Sequence, residues 1–170
     1  QIVDRLVVAA DQKFPNPVQP EKIKLRVESI TELADTIRKF EFVSEGGEDL
    51  PAFTAGGHVD VFTNNDLRRS YSLSGDAQDR SRYEIAVLRE RNGTGGSAWM
   101  HDVLSVGDVV DASMPKNNFP LNEDASEHIL VAGGIGIAPL LSMGRRLKRL
   151  NAQATLHYCT RSPETTAYIA

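Results

Sequence analysis

The chain is organised around the stretch LRRSYSLS, at Leu67–Ser74, which places ligand-binding groups on a short β-like segment. It carries two guanidinium groups and three serine hydroxyls. A glycine-rich stretch, RNGTGGS at Arg91–Ser97, adds flexible backbone and another hydroxyl at the predicted start of a helix. Together the two stretches predict a clamp for a flat, phosphorylated ligand.

Strand alternation divides the first stretch between two faces. Because successive side chains of a strand point in opposite directions, we expect Arg69 and Tyr71 to share one face. Ser70 and Ser72 then share the other. A flat ring could stack on the tyrosine while hydroxyl and backbone groups bind its polar edge. A solvated strand with a half-buried tyrosine has the same pattern, so this segment alone leaves both interpretations open.

The glycine pair Gly95 and Gly96 suits an anion, because the N–H groups at a helix start are unpaired and no side chain intervenes. Ser97, which follows, has the residue type of a helix N-cap. A hairpin loop followed by an ordinary N-cap would use the same three residues. The anion site and the structural turn therefore both remain open here.

The segments around these stretches have a β pattern. From Lys22 onward, Ile23, Leu25 and Val27 alternate with basic residues, which is typical of a strand with one dry face. Further strands are predicted at residues 37–43, 53–62, 67–74, 82–89 and 109–114. Six β segments with one late helix, which begins at Ser97, predict a six-stranded antiparallel β-barrel.

After a polar connector the pattern becomes that of an α/β fold. An apolar strand that ends at Ala132 runs into the glycine turn GGIG at residues 133–136, and a helix is predicted from Ala138 to Leu150. A second strand, at residues 154–160, completes a βαβ unit with a parallel pair. A doubly wound nucleotide domain has about five strands, so we expect only the start of a parallel-sheet nucleotide-binding domain.

The glycine turn exposes backbone N–H groups at a helix start, where a pyrophosphate can approach closely. Its pattern is GGxG rather than GxGxxG, and no acidic residue ends the second strand to hold a ribose. The usual dinucleotide fingerprint is therefore not met. A purely structural tight turn remains an alternative.

These patterns predict three regions. Residues 1–21 form an N-terminal extension or linker, with prolines spaced through residues 14–20. Residues 22–121 form the barrel, and residues 122–170 form the truncated nucleotide-binding domain. Because the sequence begins with Gln1 and stops within an ordered pattern, we expect a fragment of a longer protein.

Charge and composition exclude several kinds of partner. A net charge of −4 and a pI of about 5.6 leave no general basic field for nucleic acid or for an anionic membrane. No apolar run approaches the ~20 residues that a membrane span needs. The single cysteine, Cys159, rules out an internal disulfide and a cluster held by four thiolates of this chain. We expect a cytoplasmic protein that binds small anionic ligands or other proteins.

The remaining polar side chains give weaker signals. Four histidines are scattered without paired spacing, so no metal site is predicted. Cys159 lies in a predicted buried strand and is interpreted as a core residue. The basic run at residues 145–149 is interpreted as the solvated end of a helix, with a docking face for an acidic partner as the alternative.

The order of the motifs is more specific than any one of them. RSYSL, YEIAVLRE, NGTGGS, MPKNNFPL and ILVAGGIGIAPLLSM follow one another along the chain. In this order they resemble the flavin- and nucleotide-binding part of the ferredoxin-NAD(P) reductase superfamily. The likeness is greatest to the phthalate dioxygenase reductase group, which includes the vanillate O-demethylase reductases, and it runs from about Lys22 to Ala170.

The resemblance implies an FMN-binding barrel, an NAD(P)-binding domain and, in complete members, a [2Fe–2S] domain that is absent from this sequence. It implies FMN contacts from Arg69, Ser70, Tyr71, Ser72, Val87, Leu88, Arg89, Gly95, Gly96, Ser97 and Ala138. It implies NAD(P) contacts from Gly133, Gly134, Ile135, Gly136, Thr160 and Arg161. It carries over no catalytic residue and no metal ligand.

Two positions qualify the resemblance. Ala138 stands where the family often has a threonine, which removes a hydroxyl at that position. Arg161 could favour a 2′-phosphate by its charge, but one arginine leaves NADH and NADPH open.

The function implied is that of a reductase component. It would transfer a hydride from NAD(P)H to FMN and pass electrons to an iron–sulfur centre of an oxygenase component or a ferredoxin. A flavin-binding module without NAD(P)H turnover, because the nucleotide domain is truncated, is one alternative. An FAD-dependent reductase of the same superfamily is the other.

Overall fold

Six strands of the chain form one antiparallel sheet. The structure, a computed structural model, describes residues 21–63 and 67–169, so residues 1–20 of the predicted linker at residues 1–21 lie outside the described residues. The strands are β1 (Lys22–Ala34), β2 (Ile37–Ser44), β3 (His58–Phe62), β4 (Arg68–Ser72), β5 (Tyr83–Leu88) and β6 (Val109–Ser113). A short helix, α1 (Gly96–Asp102), lies between β5 and β6.

The order of the strands is β4-β3-β6-β1-β2-β5, and every neighbouring pair is antiparallel. The two outer strands of this order come together again beyond the end of β4. There Leu73 forms an antiparallel bridge with Ile85, and the Ser74 N–H donates to the Glu84 carbonyl oxygen at 2.8 Å. The predicted six-stranded antiparallel fold is confirmed, and the bridge between Leu73 and Ile85 joins its edges.

The alternation read from the sequence places the core inside this sheet. Leu25 and Val27 of β1 are fully buried against Phe40 and Phe42 of β2. Met100 of α1 is also fully buried in the same cluster, so the helix covers one end of the sheet. Burial of large apolar side chains at this scale contributes about 1.5–3 kcal/mol for each side chain.

Ile37 breaks the alternation of β2. It is buried although its position does not match that of Phe40 and Phe42, and its neighbours are Ala86, Ala138 and Ala167. These alanines come from β5 and from the C-terminal part of the chain, which covers the outer face of the sheet here. A strand that is covered on both faces loses its simple period of two.

The C-terminal part contains a second, parallel sheet. Strand β7 (His128–Gly133) leads into a 3₁₀ turn (Gly134–Gly136), helix α2 (Ile137–Arg149) and strand β8 (Ala154–Cys159). The two strands pair in parallel from His128 opposite Ala154 to Gly133 opposite Cys159. The predicted strand, glycine turn, helix and strand are confirmed. No helix among the described residues is both long enough and apolar enough to cross a bilayer.

Cys159 is exposed, so its interpretation as a core residue is wrong. Strand β8 pairs with β7 along one edge, and five of its six residues are exposed. The apolar residues in ATLHYC therefore do not indicate a buried strand in this structure.

Gly56 occupies a turn that no other residue fits. Its φ is +92°, and a Cβ added there would lie 1.9 Å from the Phe119 carbonyl oxygen and 2.7 Å from the Met143 methyl carbon. The turn thus brings the chain before β3 into close contact with the segment that joins the two sheets. Both the backbone conformation and the lack of space require glycine.

We expect Gly56→Ala to lower the free energy of unfolding by about 2–4 kcal/mol, because it adds backbone strain to a steric clash. The matched control is Gly144→Ala in α2, where a Cβ meets no atom within 4 Å. That change should raise stability by about 0.5–1 kcal/mol. Denaturant unfolding of both variants gives the comparison, and equal stabilities would contradict the proposed role of Gly56.

Candidate functional site

A cavity of about 380 Å³ lies between the six-stranded sheet and the start of α2. Four segments form its walls: residues 69–72 of β4, residues 86–88 of β5, residues 93–97 before and within α1, and residues 135–139 around the glycine turn. Within these ranges Gly95 and Ile137 do not line the cavity, and Glu90, outside them, does. A volume of this size suits a bound cofactor.

Most of the predicted flavin contacts meet at this cavity. Arg69, Ser70, Tyr71 and Ser72 line it from β4, and Val87 and Leu88 line it from β5. Gly96, Ser97 and Ala138 line it from the two helix starts. Two predicted NAD(P) contacts, Ile135 and Gly136, line it as well. Residues far apart in sequence are therefore brought together at one cavity.

Other predicted contacts lie elsewhere. The Arg89 side chain forms an ion pair with Asp102 of α1, with Nη2 and Oδ2 2.7 Å apart, and does not line the cavity. Gly133, Gly134, Thr160 and Arg161 are also absent from its walls. They lie where the parallel strands β7 and β8 end, which is the edge at which open α/β sheets bind ligands.

Arg69 defines one end of the cavity. Its guanidinium donates hydrogen bonds to the Arg68 carbonyl oxygen at 2.8 Å and to the Thr94 hydroxyl. A Cβ on Gly96 would lie 2.5 Å from Arg69 Cγ, so the glycine leaves room for the arginine stem against the start of α1. Arg69 and Glu90 are the charged side chains among the lining residues that the structure describes.

The start of α1 differs in detail from the sequence prediction. The N-cap is Gly95, in a left-handed conformation with φ 97°, rather than Ser97. The Ser97 hydroxyl instead accepts a hydrogen bond from the Glu90 N–H at 3.1 Å. This bond connects the end of β5 to the first turn of α1 and closes the loop around Gly93 and Thr94.

Tyr71 presents a neutral aromatic side chain to the cavity. Burial raises the pKa of its phenol to about 12, although the neighbouring Arg69 opposes the shift. The Tyr71 phenol therefore stays protonated and neutral at physiological pH. A neutral phenol beside an apolar wall of Val87 and Leu88 suits a flat conjugated ligand.

Asp60, which the sequence analysis missed, supports Ser70 from the neighbouring strand. It is 2% exposed, accepts a hydrogen bond from the Ser70 hydroxyl at 2.5 Å and pairs with Lys116 Nζ at 2.9 Å. Burial alone raises the pKa of Asp60, but the bonds from Ser70 and Lys116 outweigh it and the pKa is lowered. The sequence signal for Asp60 was a charged residue at the centre of the otherwise apolar-rich strand HVDVF, at residues 58–62.

Five lining residues were not predicted from the sequence: Ala86, Glu90, Gly93, Thr94 and Pro139. Glu90, Gly93 and Thr94 belong to the loop that precedes α1, so they lie within or beside the quoted glycine stretch. Ala86 and Pro139 are immediate neighbours of predicted contacts. Adjacency to a motif was the signal for all five residues.

Packing among the described residues does not explain why positions 133 and 136 of the glycine turn are glycines. A Cβ added to Gly133 or Gly136 would meet no protein atom within 4 Å, and the φ of Gly136 is an ordinary −61°. Neither position therefore needs glycine for its own fold. Close approach of a ligand to the backbone is a reason for glycine that fits this observation.

Comparison with known proteins identifies close relatives. No protein-family model matches the chain. It is 50% identical over 145 residues to the phthalate 4,5-dioxygenase oxygenase reductase subunit of Pseudomonas putida. The aligned region covers 85% of this chain and 45% of that protein. It is 43% identical over 142 residues to the vanillate O-demethylase oxidoreductase of Acinetobacter baylyi, with 84% and 45% covered. The chain thus spans about half the length of the curated relatives it matches.

A solved structure shows the same fold. It is described as phthalate dioxygenase reductase, a modular structure for electron transfer from pyridine nucleotides to [2Fe–2S]. The TM-score is 0.84 at 46% sequence identity, and the match covers 86% of this chain and 46% of that chain. An antiparallel six-stranded sheet followed by a parallel βαβ unit is therefore the shared architecture.

We expect Asp60→Asn to lower the free energy of unfolding by about 1–3 kcal/mol at pH 7, because Lys116 and Ser70 lose a charged partner. The pKa of Asp60 is lower in the folded protein than its ordinary 3.8. Its contribution is therefore present above pH 3.8 and is lost as the pH falls through the folded pKa. The difference between variant and wild type should shrink below about pH 4.

The control for this experiment is Asp111→Asn. Asp111 pairs with Lys22 and Lys24 at 3.4 Å, but it is exposed, so its loss should cost less than about 1 kcal/mol. Denaturant unfolding at several pH values measures both variants. A pH-independent difference for Asp60→Asn would rule out the charge as the cause.

Proposed function

Since the chain is homologous to the phthalate dioxygenase and vanillate O-demethylase reductases of the ferredoxin-NAD(P) reductase superfamily, we propose that it is the flavin- and nucleotide-binding portion of an oxygenase reductase component. Residues 22–121 would form the FMN-binding domain, and residues 122–170 the first part of an NAD(P)-binding domain. The observation that carries this proposal is the cavity walled by β4 and β5 on one side and by the glycine turn on the other.

The cavity walls fit a flavin mononucleotide. Tyr71 is a neutral aromatic residue for the ring, and the chain from Val87 to Leu88 supplies an adjacent backbone edge. Ser70 donates its hydroxyl proton to Asp60, which leaves its oxygen lone pairs for a ligand donor. Arg69 and Ser97 supply polar groups for a phosphate at the far end.

The nucleotide would bind at the other wall. Gly133 and Gly136 leave room for a ligand beside the backbone, and Thr160 and Arg161 follow the parallel strand at the same sheet edge. When bound, a flavin accepts a hydride from a nicotinamide and releases electrons one at a time to an iron–sulfur acceptor. The chain's own residues would align the two rings and keep water from the space between them.

The electron acceptor would be an oxygenase component or a ferredoxin. A cluster held by four thiolates needs cysteines beyond these 170 residues, because the sequence has one. The solved relative transfers electrons from pyridine nucleotides to [2Fe–2S], according to its description. We propose the same direction of transfer for the protein to which this chain belongs.

We expect the purified chain to be yellow and to release FMN on heating. Its visible absorbance should bleach when NADH or NADPH is added without oxygen, because the hydride acceptor becomes reduced. Spectra before and after addition, followed by chromatography of the released flavin, measure both properties. A colourless chain that takes up no flavin would contradict the proposal.

The two alternatives give different results in this experiment. Bound flavin that is reduced by dithionite but not by either nucleotide identifies a flavin-binding module without turnover. Release of FAD in place of FMN identifies an FAD-dependent reductase. Comparison of NADH with NADPH also decides the nucleotide preference that Arg161 leaves open.

We expect Arg69→Ala to weaken FMN binding by about 10–100-fold and to leave riboflavin binding nearly unchanged, because a hydrogen bond to a charged group contributes about 1.5–3 kcal/mol. Titration with each flavin measures the ratio. The matched control is Arg68→Ala, the adjacent arginine, which pairs with Asp60 at 3.7 Å and does not line the cavity. Equal losses of both flavins would show that Arg69 does not contact the phosphate.

A further inference from the structure

Helix α2 is attached to the six-stranded sheet along one face. Ala138, Arg145 and Arg149 are separated by seven and four residues, which places them on the same side of the helix. At the cavity end, Ala138 is buried beside Ala86 of β5. The two arginines further along the helix reach the chain between β4 and β5.

Arg145 makes the central contact of this face. Its Nη1 donates to the Ser74 carbonyl oxygen at 3.1 Å and to Glu84 Oε2 at 3.2 Å. Ser74 is fully buried, and the Glu84 side chain is 15% exposed. Both acceptors belong to the residue pair that joins the edges of the six-stranded sheet. Hydrogen bonds from a charged donor to partly buried acceptors are stronger than those in open solvent.

Two further contacts reinforce the same place. Arg149 Nε donates to Asp76 Oδ2 at 2.9 Å, two residues beyond Ser74. From the C-terminal segment, the Tyr168 hydroxyl lies 3.0 Å from the Ser74 hydroxyl. The helix and the segment after β8 therefore converge on one short stretch of the six-stranded sheet.

These contacts correct the interpretation of the basic helix end. Arg145 and Arg149 are ion-paired within the chain instead of being only solvated, so they are not a free docking face for an acidic partner. Arg146 lies on another side of the helix and pairs with Glu123 at 2.6 Å. Glu123 belongs to the segment that leads into β7, so this pair does not reach the six-stranded sheet.

We propose that Arg145 is a positioning residue that holds α2, and with it the glycine turn at Gly134–Gly136, against the cavity. The helix rises about 1.5 Å for each residue, so Arg145 fixes it about 10 Å from Ala138. Because a helix is stiff over two turns, this contact sets the direction of its first turn. The functional part of the inference rests on the proposed function, since the turn would hold the nucleotide facing the flavin.

The apolar contacts of α2 begin at the cavity, and the polar contact of Arg145 joins them further along the helix. Ala138 is buried with Ala86, Ile37 and Ala167, with Leu88 and Ile135 packed against them. Ile137, Leu140 and Met143 of the same helix are buried with Ala55, which precedes β3. Apolar contacts have no preferred direction, so they hold the helix close without fixing its tilt as hydrogen bonds do. The polar contacts of Arg145 act further from the cavity, where a given displacement corresponds to a smaller tilt.

A distance measurement tests the positioning without any ligand. The chain has one cysteine, Cys159, which is exposed on β8. Glu28→Cys adds a second exposed label site on β1. With spin labels at both positions, we expect Arg145→Ala to broaden the distance distribution between the two sheets, whereas Arg146→Ala should leave it unchanged.

A kinetic measurement on the unlabelled chain tests the consequence. We expect Arg145→Ala to lower the rate of flavin reduction by saturating NADH or NADPH about tenfold or more, because misalignment of reacting groups is costly. FMN affinity and reduction by dithionite should change less than about twofold. Arg145→Lys, which keeps the charge, should recover part of the rate, and Arg146→Ala should match the wild type.

The outcomes separate this inference from the proposed function. An unchanged distance distribution for Arg145→Ala, or equal broadening for Arg146→Ala, overturns the positioning role. If neither nucleotide reduces the flavin of the wild-type chain, the proposed function fails for this chain, and the label distances still decide the role of Arg145. Equal losses of FMN affinity and reduction rate would indicate general destabilisation and would also overturn it.

Discussion

The contact between Ser74 and Glu84 is the constraint on which the rest of the structure depends. Strands β4 and β5 stand at opposite ends of the strand order, and this backbone hydrogen bond of 2.8 Å brings their ends together. As a result, the RSYS segment and the strand YEIAVL become two walls of one cavity. Arg145 and Tyr168 bind at the same place. The same two residues, Ser74 and Glu84, therefore join the edges of the six-stranded sheet and bind the C-terminal part of the chain.

Much of this fold can be predicted from periodicity. The alternation in β1, the apolar strand before the glycine turn and the helical spacing after it each follow from a local pattern. The failures occur where a distant segment changes the environment. Ile37 is buried because Ala138 and Ala167 cover it from outside, and Cys159 is exposed because β8 has one paired edge. Neither environment can be read from the residues near it.

The candidate site divides in the same way. The motif order brings the segments from β4, β5, α1 and the glycine turn to one cavity. The resemblance names Arg89 for its strand backbone, and the structure shows that its side chain pairs with Asp102 and does not line the cavity. The N-cap illustrates a further limit, since Ser97 has the right residue type but Gly95 takes that position. The left-handed backbone before the helix depends on the whole loop.

The two adjacent arginines of the opening stretch show how one strand serves structure and ligand together. Because side chains alternate along β4, Arg68 lies toward buried Asp60, whereas Arg69 lies against Thr94 and lines the cavity. Asp60 also forms an ion pair with Lys116 and accepts a hydrogen bond from the Ser70 hydroxyl. The Asp60 carboxylate thus compensates Arg68 and Lys116, two cations that do not line the cavity. Among the described lining residues Arg69 remains as the cation, and an anionic ligand would compete with the Thr94 hydroxyl and the Arg68 carbonyl oxygen for its donors.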